Sequence, residues 1–350
     1  MVSPLDAEDF DMGATAPDPL DGAFTAAWLT SQTFAPVEYV VPGLIPEGLT
    51  LLVAAPKVGK SWMVLDLAHA AATGGKALGS IRVDRRPVLY LALEDGPRRL
   101  QSRLSMLGVD GGGPDLMFLT ALSAAPVATV AAYLERHAQD RPLVILDTLG
   151  KVRGRDGGND QYGRDYSQMS ALKALVDAVP GSSLIVVHHT NKGGREDFLE
   201  AVSGTQGLAG AADSILVIRR DRNQEDGTIN VTSRDAREGE YAVTFDGSRW
   251  HTVGADLAEA ARAAESKRAT AGVGDDMARV IDAVSRHPGG VGVAQIVAMS
   301  ALPRATVDTY LSRAVTAGRI VRVERGTYAP IPLSEVSDGQ IESDPEHLDF

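Results

Sequence analysis

Between about residues 35 and 253 the chain alternates short, nearly unbroken apolar runs with segments whose apolar positions recur at helical spacing. The runs are "LTLLVAA" from Leu49, "PVLYLALED" from Pro87, "PLVILDT" from Pro142, "SLIVVHH" from Ser183 and "DSILVIRR" from Asp213. Strands that are apolar on both faces belong to parallel sheets covered on both sides. The alternation predicts an α/β fold, a mainly parallel sheet flanked by helices. Two further segments, "TINVTSRD" and "YAVTFDGSRW", read as an antiparallel extension at the sheet edge, and no internal repeat is present.

Beyond residue 254 the pattern changes. Residues 255–273, "ADLAEAARAAESKRATAGV", are Ala-rich and charged, and nothing in them demands a core, so they read as a helical linker. From Asp275 apolar residues return at helical spacing: Met277, Val280, Ile281 and Val284 in one segment, and Val307, Leu311 and Val315 in a later one with Pro303 near its first turn. "VAQIVAMS" forms a short helix between them, and "RIVRVERGTYAPI" reads as two strands folded at Glu324-Arg325-Gly326. Three helices followed by a β-hairpin resemble the winged helix-turn-helix family. The expected division is an acidic tail over 1–24, an α/β domain over 25–254, a linker over 255–273, a winged unit over 274–332 and a second acidic tail over 333–350.

Composition refines this picture in three ways. There is no cysteine among the 350 residues, which excludes disulfides and thiolate zinc sites and fits a reducing compartment. No stretch approaches the roughly 20 apolar residues that cross a bilayer, and the acidic N-terminus has no basic segment of the secretory type, so a cytoplasmic protein without membrane contact is expected. The net charge of −12 is confined to the ends: residues 1–24 and 331–350 carry six acids each and no Lys or Arg, and the remaining 34 acids match the 34 Lys and Arg. The body is neutral, which leaves room for local basic patches, and the tails are expected to stay disordered.

The candidate chemistry begins at "AAPKVGKSWMVL". An apolar strand, a tight turn and a helix start together make an anion site, because unpaired backbone N–H groups and the helix dipole face the same point. Pro56, Lys57, Val58 and Gly59 form the loop, Lys60 reaches the β- and γ-phosphates, Ser61 ligates Mg²⁺ and Trp62 continues the helix. The usual phosphate-loop pattern has Gly where Ala54 stands, which ends a strand and needs no positive φ. Lys57 also occupies a position often held by Gly, a sharper departure. An ATPase needs further parts in order. "PLVILDT" supplies Asp147 as the strand-end carboxylate that holds Mg²⁺, and "LYLALED" ends in Glu94.

The motifs "PKVGKS", "LALEDGPRRLQSRLSMLG", "VILDTLGKV" and "IVVHHTNK" together resemble the RecA-like ATPases over roughly residues 35–250. Within that group they look most like the branch of the hexameric plasmid replicative helicase RepA and its phage-encoded relatives. The resemblance implies that Glu94 polarises the attacking water. It implies that His188 and His189 sense the γ-phosphate, without deciding which of the two points at it. It implies active sites between subunits of a homo-oligomer, hexameric in that branch, with a cationic finger from the neighbour. Arg234 or Arg237 in "TSRDAREGE" would fill that role, although a pair of solvated arginines bonded to Asp235 or Glu238 would look the same in sequence.

Two Gly-rich loops follow strand ends. One, "GKVRGRDGGNDQYGRD", carries Lys151, Arg153, Arg155 and Arg164 with Tyr162, and Tyr166 follows it directly; the other carries Lys192 and Arg195. Cationic loops there are where RecA-like proteins grip single-stranded DNA. In the winged unit Arg304, Thr306, Thr309 and Arg313 are expected on the exposed side of the third helix, with Arg319, Arg322 and Arg325 on the hairpin, a surface for duplex DNA. The tip "SDPEHLDF" is similar in character to the tails by which single-strand-binding proteins recruit partners, and equally suits a solubilising tail. The reading is an ATP- and Mg²⁺-dependent DNA motor, a replicative helicase or DNA-dependent ATPase. The rivals are a recombinase or loader, and an ATP-switched DNA-binding regulator.

Overall fold

The apolar runs become the strands of one nine-stranded sheet. A computed structural model describes residues 20–109, 111, 113, 115–152, 161–189, 206–221 and 223–331. By contacts the chain divides into Met1–Pro36 and Val37–Phe350. The first unit holds helix α1 (Ala26–Ser31), capped by the Thr25 hydroxyl, which accepts from the Trp28 N–H at 3.1 Å. None of its helical residues is buried.

The second unit opens with a two-stranded ribbon, β1 (Tyr39–Val41) and β2 (Ile45–Pro46), and then runs β3 (Gly48–Ala54), helix α2 (Lys60–Thr73), and the short ribbon β4 (Lys76–Ala77) and β5 (Ile81–Arg82). There follow β6 (Val88–Ala92), α3 (Pro97–Met106), β7 (Leu116–Leu119), α4 (Pro126–Arg136), β8 (Leu143–Asp147), α5 (Leu149–Val152), α6 (Gln161–Asp177), β9 (Ser183–His189), α7 (Gln206–Ala211) and β10 (Ser214–Arg220). An antiparallel stretch comes last, β11 (Asp226–Ser233), β12 (Gly239–Phe245) and β13 (Trp250–Thr252). The spatial order is β13-β12-β11-β10-β3-β9-β8-β6-β7, parallel from β10 to β7 and antiparallel from β10 to β13. The fold class is therefore α/β with a mainly parallel sheet. The edge strand β7 has half-buried and exposed residues in alternation, so it lacks the continuous apolar run that marks its neighbours.

Strand alternation sorts the core into two layers. Leu52, Ala54, Val88, Tyr90, Leu143, Ile145, Ile185 and Val187 face α2, with its Met63, Val64, Leu65, Leu67 and Ala68. Leu49, Leu51, Val53, Leu89, Leu91, Val144, Leu146, Leu184 and Val186 face α4 and α6 through Val130, Tyr133, Leu134, Met169, Leu172 and Val176. By this parity Asp147 and His189 end their strands on the α2 side, and His188 on the α6 side. The phosphate-loop strand β3 lies between β9 and β10, and its carboxyl end is where ligands bind in open α/β sheets.

The expected linker is part of this unit's packing. Helix α8 (Leu257–Thr270) is capped by Asp256, whose carboxylate accepts the Glu259 N–H at 2.8 Å. It buries Ala260 and Ala264, and Leu257, Ala260 and Ala261 join the layer that covers α2. The alanines that looked featureless in sequence let the helix approach β12 closely. A cut after Gly254 therefore removes core surface. The C-terminal elements are α9 (Asp275–Ser285), β14 (Val291–Gly292), α10 (Val293–Ser300), α11 (Arg304–Thr316), β15 (Ile320–Glu324) and β16 (Thr327–Pro330), around Val280, Ile281, Val284, Ile296, Val307, Leu311 and Ile320. Their strands form a separate sheet in the order β14-β16-β15.

Candidate active site

The turn between β3 and α2 is shaped by two left-handed residues. Gly59, at the N-cap of α2, has φ of +117°, and an added Cβ would lie 3.1 Å from the Trp250 indole nitrogen. Lys57 has φ of +69°, so it adopts the conformation that its usual glycine would supply, with an exposed side chain. The departure in sequence does not change the backbone the loop requires.

Behind the loop stands a brace that no sequence motif announces. The fully buried Trp250 donates its indole N–H to the Gly59 carbonyl at 3.1 Å. Arg220 donates from Nε to the Val58 carbonyl at 3.1 Å, and its guanidinium lies over the Phe245 ring at 4.8 Å. A cation over an aromatic face is itself favourable, so β10, β12 and β13 hold the loop from one side. Trp250→Phe keeps the ring bulk and removes the donor. Leaving the Gly59 carbonyl without it costs about 1 kcal/mol. The expected result is a lower unfolding midpoint in urea together with several-fold weaker binding of a fluorescent ATP analogue; unchanged values of both would show that the brace is not needed.

Lys60 is 4% exposed and folded back, its ammonium donating to the carbonyls of Ala54 at 2.6 Å and Ala55 at 3.1 Å and to His189 Nδ1 at 2.8 Å. Burial lowers its pKa to about 8, against the attraction of Asp147 and Glu94. With Nδ1 accepting from an ammonium, the neutral ring carries its proton on Nε2, and Nε2 lies 3.5 Å from a Glu94 carboxylate oxygen. His189 thus stands between Lys60 and the candidate base, a choice that the pair "HH" left open.

Asp147 is 2% exposed. Tyr90 donates its hydroxyl to Oδ2 at 2.8 Å, and Oδ1 is buried with no hydrogen-bond partner among the described residues. Burial raises its pKa, Tyr90 and Ser61 oppose this, and the nearby charges of Glu94 and Asp95 add to the rise. A buried carboxylate oxygen that lacks a donor, beside the Ser61 hydroxyl, has the donor set of a hard-cation site. These residues fit Mg²⁺ with its waters.

Glu94 sits in the turn after β6 and accepts the Thr148 hydroxyl at 3.0 Å. The neighbouring Asp95 is buried and bonded to Arg99 at 2.9 Å and to Arg103. Trp62 lies beneath Arg103, whose guanidinium is 5.3 Å from the ring centroid, so this residue packs against α3. Thr148, Tyr90, Trp250 and Arg220 were not singled out by the sequence. Thr148 alone had a signal there, as the polar residue directly after the strand-end Asp147.

The remaining expected site residues are dispersed. β11 runs antiparallel to β10 with Ser233 opposite Ser214, so Arg234 and Arg237 lie at the end of the sheet away from their own loop. Both are exposed, with Arg234 at 3.9 Å from Asp213. Arg304, Arg313 and Arg325 are exposed in the C-terminal unit, Arg304 at 3.5 Å from Asp308. Arg319 is half-buried and donates to the carbonyls of Ala269 at 2.5 Å and Ala271 at 2.9 Å, closing the end of α8. Arg153, Arg155, Lys192 and Arg195, and the Lys151 side chain, lie outside the described residues.

A buried lysine at a helix N-terminus, a strand-end aspartate and a glutamate one strand away meet at the carboxyl end of a mainly parallel sheet, the arrangement of a phosphate-loop nucleotide-binding domain. The chain belongs to the AAA domain family, which matches residues 16–195. Residues 278–331 match a second family, the AbiEi antitoxin transcriptional regulators. A DNA repair protein RadA of Mycobacterium tuberculosis is 28% identical over 184 residues, covering 52% of this chain and 34% of that one. The RadA of Mycolicibacterium smegmatis is 26% identical over 186 residues, covering 51% and 35%. The chain thus spans about a third of the length of the curated relatives it matches. Similar solved structures include a DnaB-like replicative helicase, with a TM-score of 0.49 at 13% identity over 65% of this chain and 66% of that one. The RadB recombinase gives 0.42 at 16% over 61% and 92%. No described helix is long and apolar enough to cross a membrane.

Proposed function

We propose that this protein is a DNA-stimulated ATPase motor, a replicative helicase of the RepA type, working as a homo-oligomer with Mg²⁺. The observation that carries the reading is His189, at 2.8 Å from Lys60 and 3.5 Å from Glu94 at the end of β9. A phosphate that draws Lys60 outward takes away the partner of His189, and the segment that follows contains Lys192 and Arg195. Hydrolysis state and DNA grip would so be linked through one strand end. Bound Mg²⁺ would neutralise phosphate charge and be held by Ser61 and Asp147. Glu94 would orient and deprotonate the attacking water. Arg234 and Arg237, about 20 Å along the strands from their own loop, would act on a neighbour's nucleotide. The C-terminal unit would bind duplex DNA as a winged helix-turn-helix through Arg304, Arg313 and Arg325, contacts dominated by phosphate and weakened by salt.

The RadA relatives are named as DNA repair proteins, which favours a DNA partner and keeps a recombinase or loader in view. The AbiEi match at residues 278–331 favours an ATP-switched regulator as the second reading. One assay separates the three: ATP hydrolysis with and without single-stranded DNA, alongside strand displacement on a forked duplex. The helicase reading expects stimulated hydrolysis and displacement. Stimulated hydrolysis without displacement would indicate a recombinase or loader, and sequence-specific duplex binding with negligible turnover a regulator.

A further inference from the structure

We propose that Thr148 is a positioning residue for Glu94, holding the carboxylate in the orientation from which it takes a proton from water. The proposal rests on Glu94 being the base. Glu94 lies in a turn, and its side chain is 35% exposed, so its own backbone does not fix it. Among the described residues, the Thr148 hydroxyl lies 3.0 Å from Oε1 and His189 Nε2 3.5 Å from the same oxygen. Thr148 itself is 1% exposed. It directly follows Asp147 at the end of a buried strand, and the Leu93 N–H donates to the Asp147 carbonyl at 2.8 Å, locking the two strand ends together one residue before Glu94.

A β-branched side chain in such a place keeps few rotamers, so its hydroxyl is a fixed donor. Occupying Oε1 leaves Oε2 to face water. A base that is held in this way loses less freedom on reaching the transition state, which affects the rate of the chemical step more than nucleotide binding. A hydroxyl kept only for folding would not divide its effects so.

The test uses the full chain and measures Mg²⁺-dependent ATP hydrolysis for Thr148→Val, Thr148→Ser and Glu94→Gln, with the Thr148→Val/Glu94→Gln double variant. Valine keeps the shape and removes the donor. Expected for Thr148→Val is a kcat about 10-fold lower, the order of one hydrogen bond to a charged group. KM and the thermal midpoint should stay near wild type. Thr148→Ser should recover most of the rate, and adding Thr148→Val to Glu94→Gln should cost nothing further. If valine misfolds, Thr148→Ala carries the same expectation. Wild-type kcat in Thr148→Val beside an impaired Glu94→Gln overturns the positioning role alone. A loss that appears in KM, or repeats in full on Glu94→Gln, assigns Thr148 to nucleotide or metal binding instead. Wild-type turnover in Glu94→Gln removes the base, and the positioning role with it.

Discussion

Lys60→Ala lowers Mg²⁺-dependent ATP hydrolysis by at least about 100-fold, the scale on which removing one donor from a developing charge is felt. The ammonium is buried in the site, bonded to the Ala54 and Ala55 carbonyls and to His189. Alanine removes this charge, while the loop backbone keeps the support of Trp250 on Gly59 and Arg220 on Val58. Steady-state hydrolysis by the purified, folded variant is the measurement, and wild-type turnover would show the phosphate-loop assignment to be wrong. The same variant tests the shared site. Arg234→Ala or Arg237→Ala subunits keep an intact Lys60, so mixing them with Lys60→Ala subunits should restore part of the activity that neither possesses alone. Mixtures that co-assemble and stay inactive would argue for a site complete within one chain.

Glu94→Gln binds ATP and hydrolyses it about 100-fold or more slowly, within the range for loss of a general base. Glutamine retains the size of the side chain and can still accept the Thr148 hydroxyl, so the defect is chemical. Binding measured by filter retention should stay near wild type while turnover falls. Near-normal turnover would move the base elsewhere. Asp95, the adjacent carboxylate and the obvious substitute in sequence, is a poor one in the fold: it is buried and already bonded to Arg99 and Arg103. Arg99→Ala with Arg103→Ala is therefore a change to the support of α3 and not to the base.

Much of the sheet was legible because buried parallel strands are written as continuous apolar runs, and "LTLLVAA", "PLVILDT" and "SLIVVHH" each became one. The edge strand Leu116–Leu119 was not, since one side of it meets water and its pattern alternates. The loop was legible because glycine, lysine and serine must be consecutive for one helix N-terminus to present them together. Asp147 and Glu94 followed as strand-end acids. Their surroundings did not: the Tyr90 hydroxyl on Asp147 crosses between neighbouring strands 57 positions apart in the chain, and the indole of Trp250 returns to Gly59 from 191 positions away.

Residues 255–273 show the division most sharply. Alanine favours a helix whatever surrounds it, so the helix itself was determined locally. Alanine is also small enough to pack closely against a sheet, and nothing along the chain says whether it does. The answer came from β12 being available beside it, which put Ala260 and Ala264 in the core and gave Arg319 the end of that helix to bond. The histidines divide in the same way. The sequence by itself determined that a strand ends in two of them, and the tertiary structure alone decided that His189 faces Lys60 and Glu94, because the side a strand residue faces follows from the layers packed on the sheet. Apolar periodicity and backbone preference act over a few residues and are carried by the sequence, whereas a hydrogen bond between distant side chains exists only after strand order and register have brought their donors and acceptors within about 3 Å.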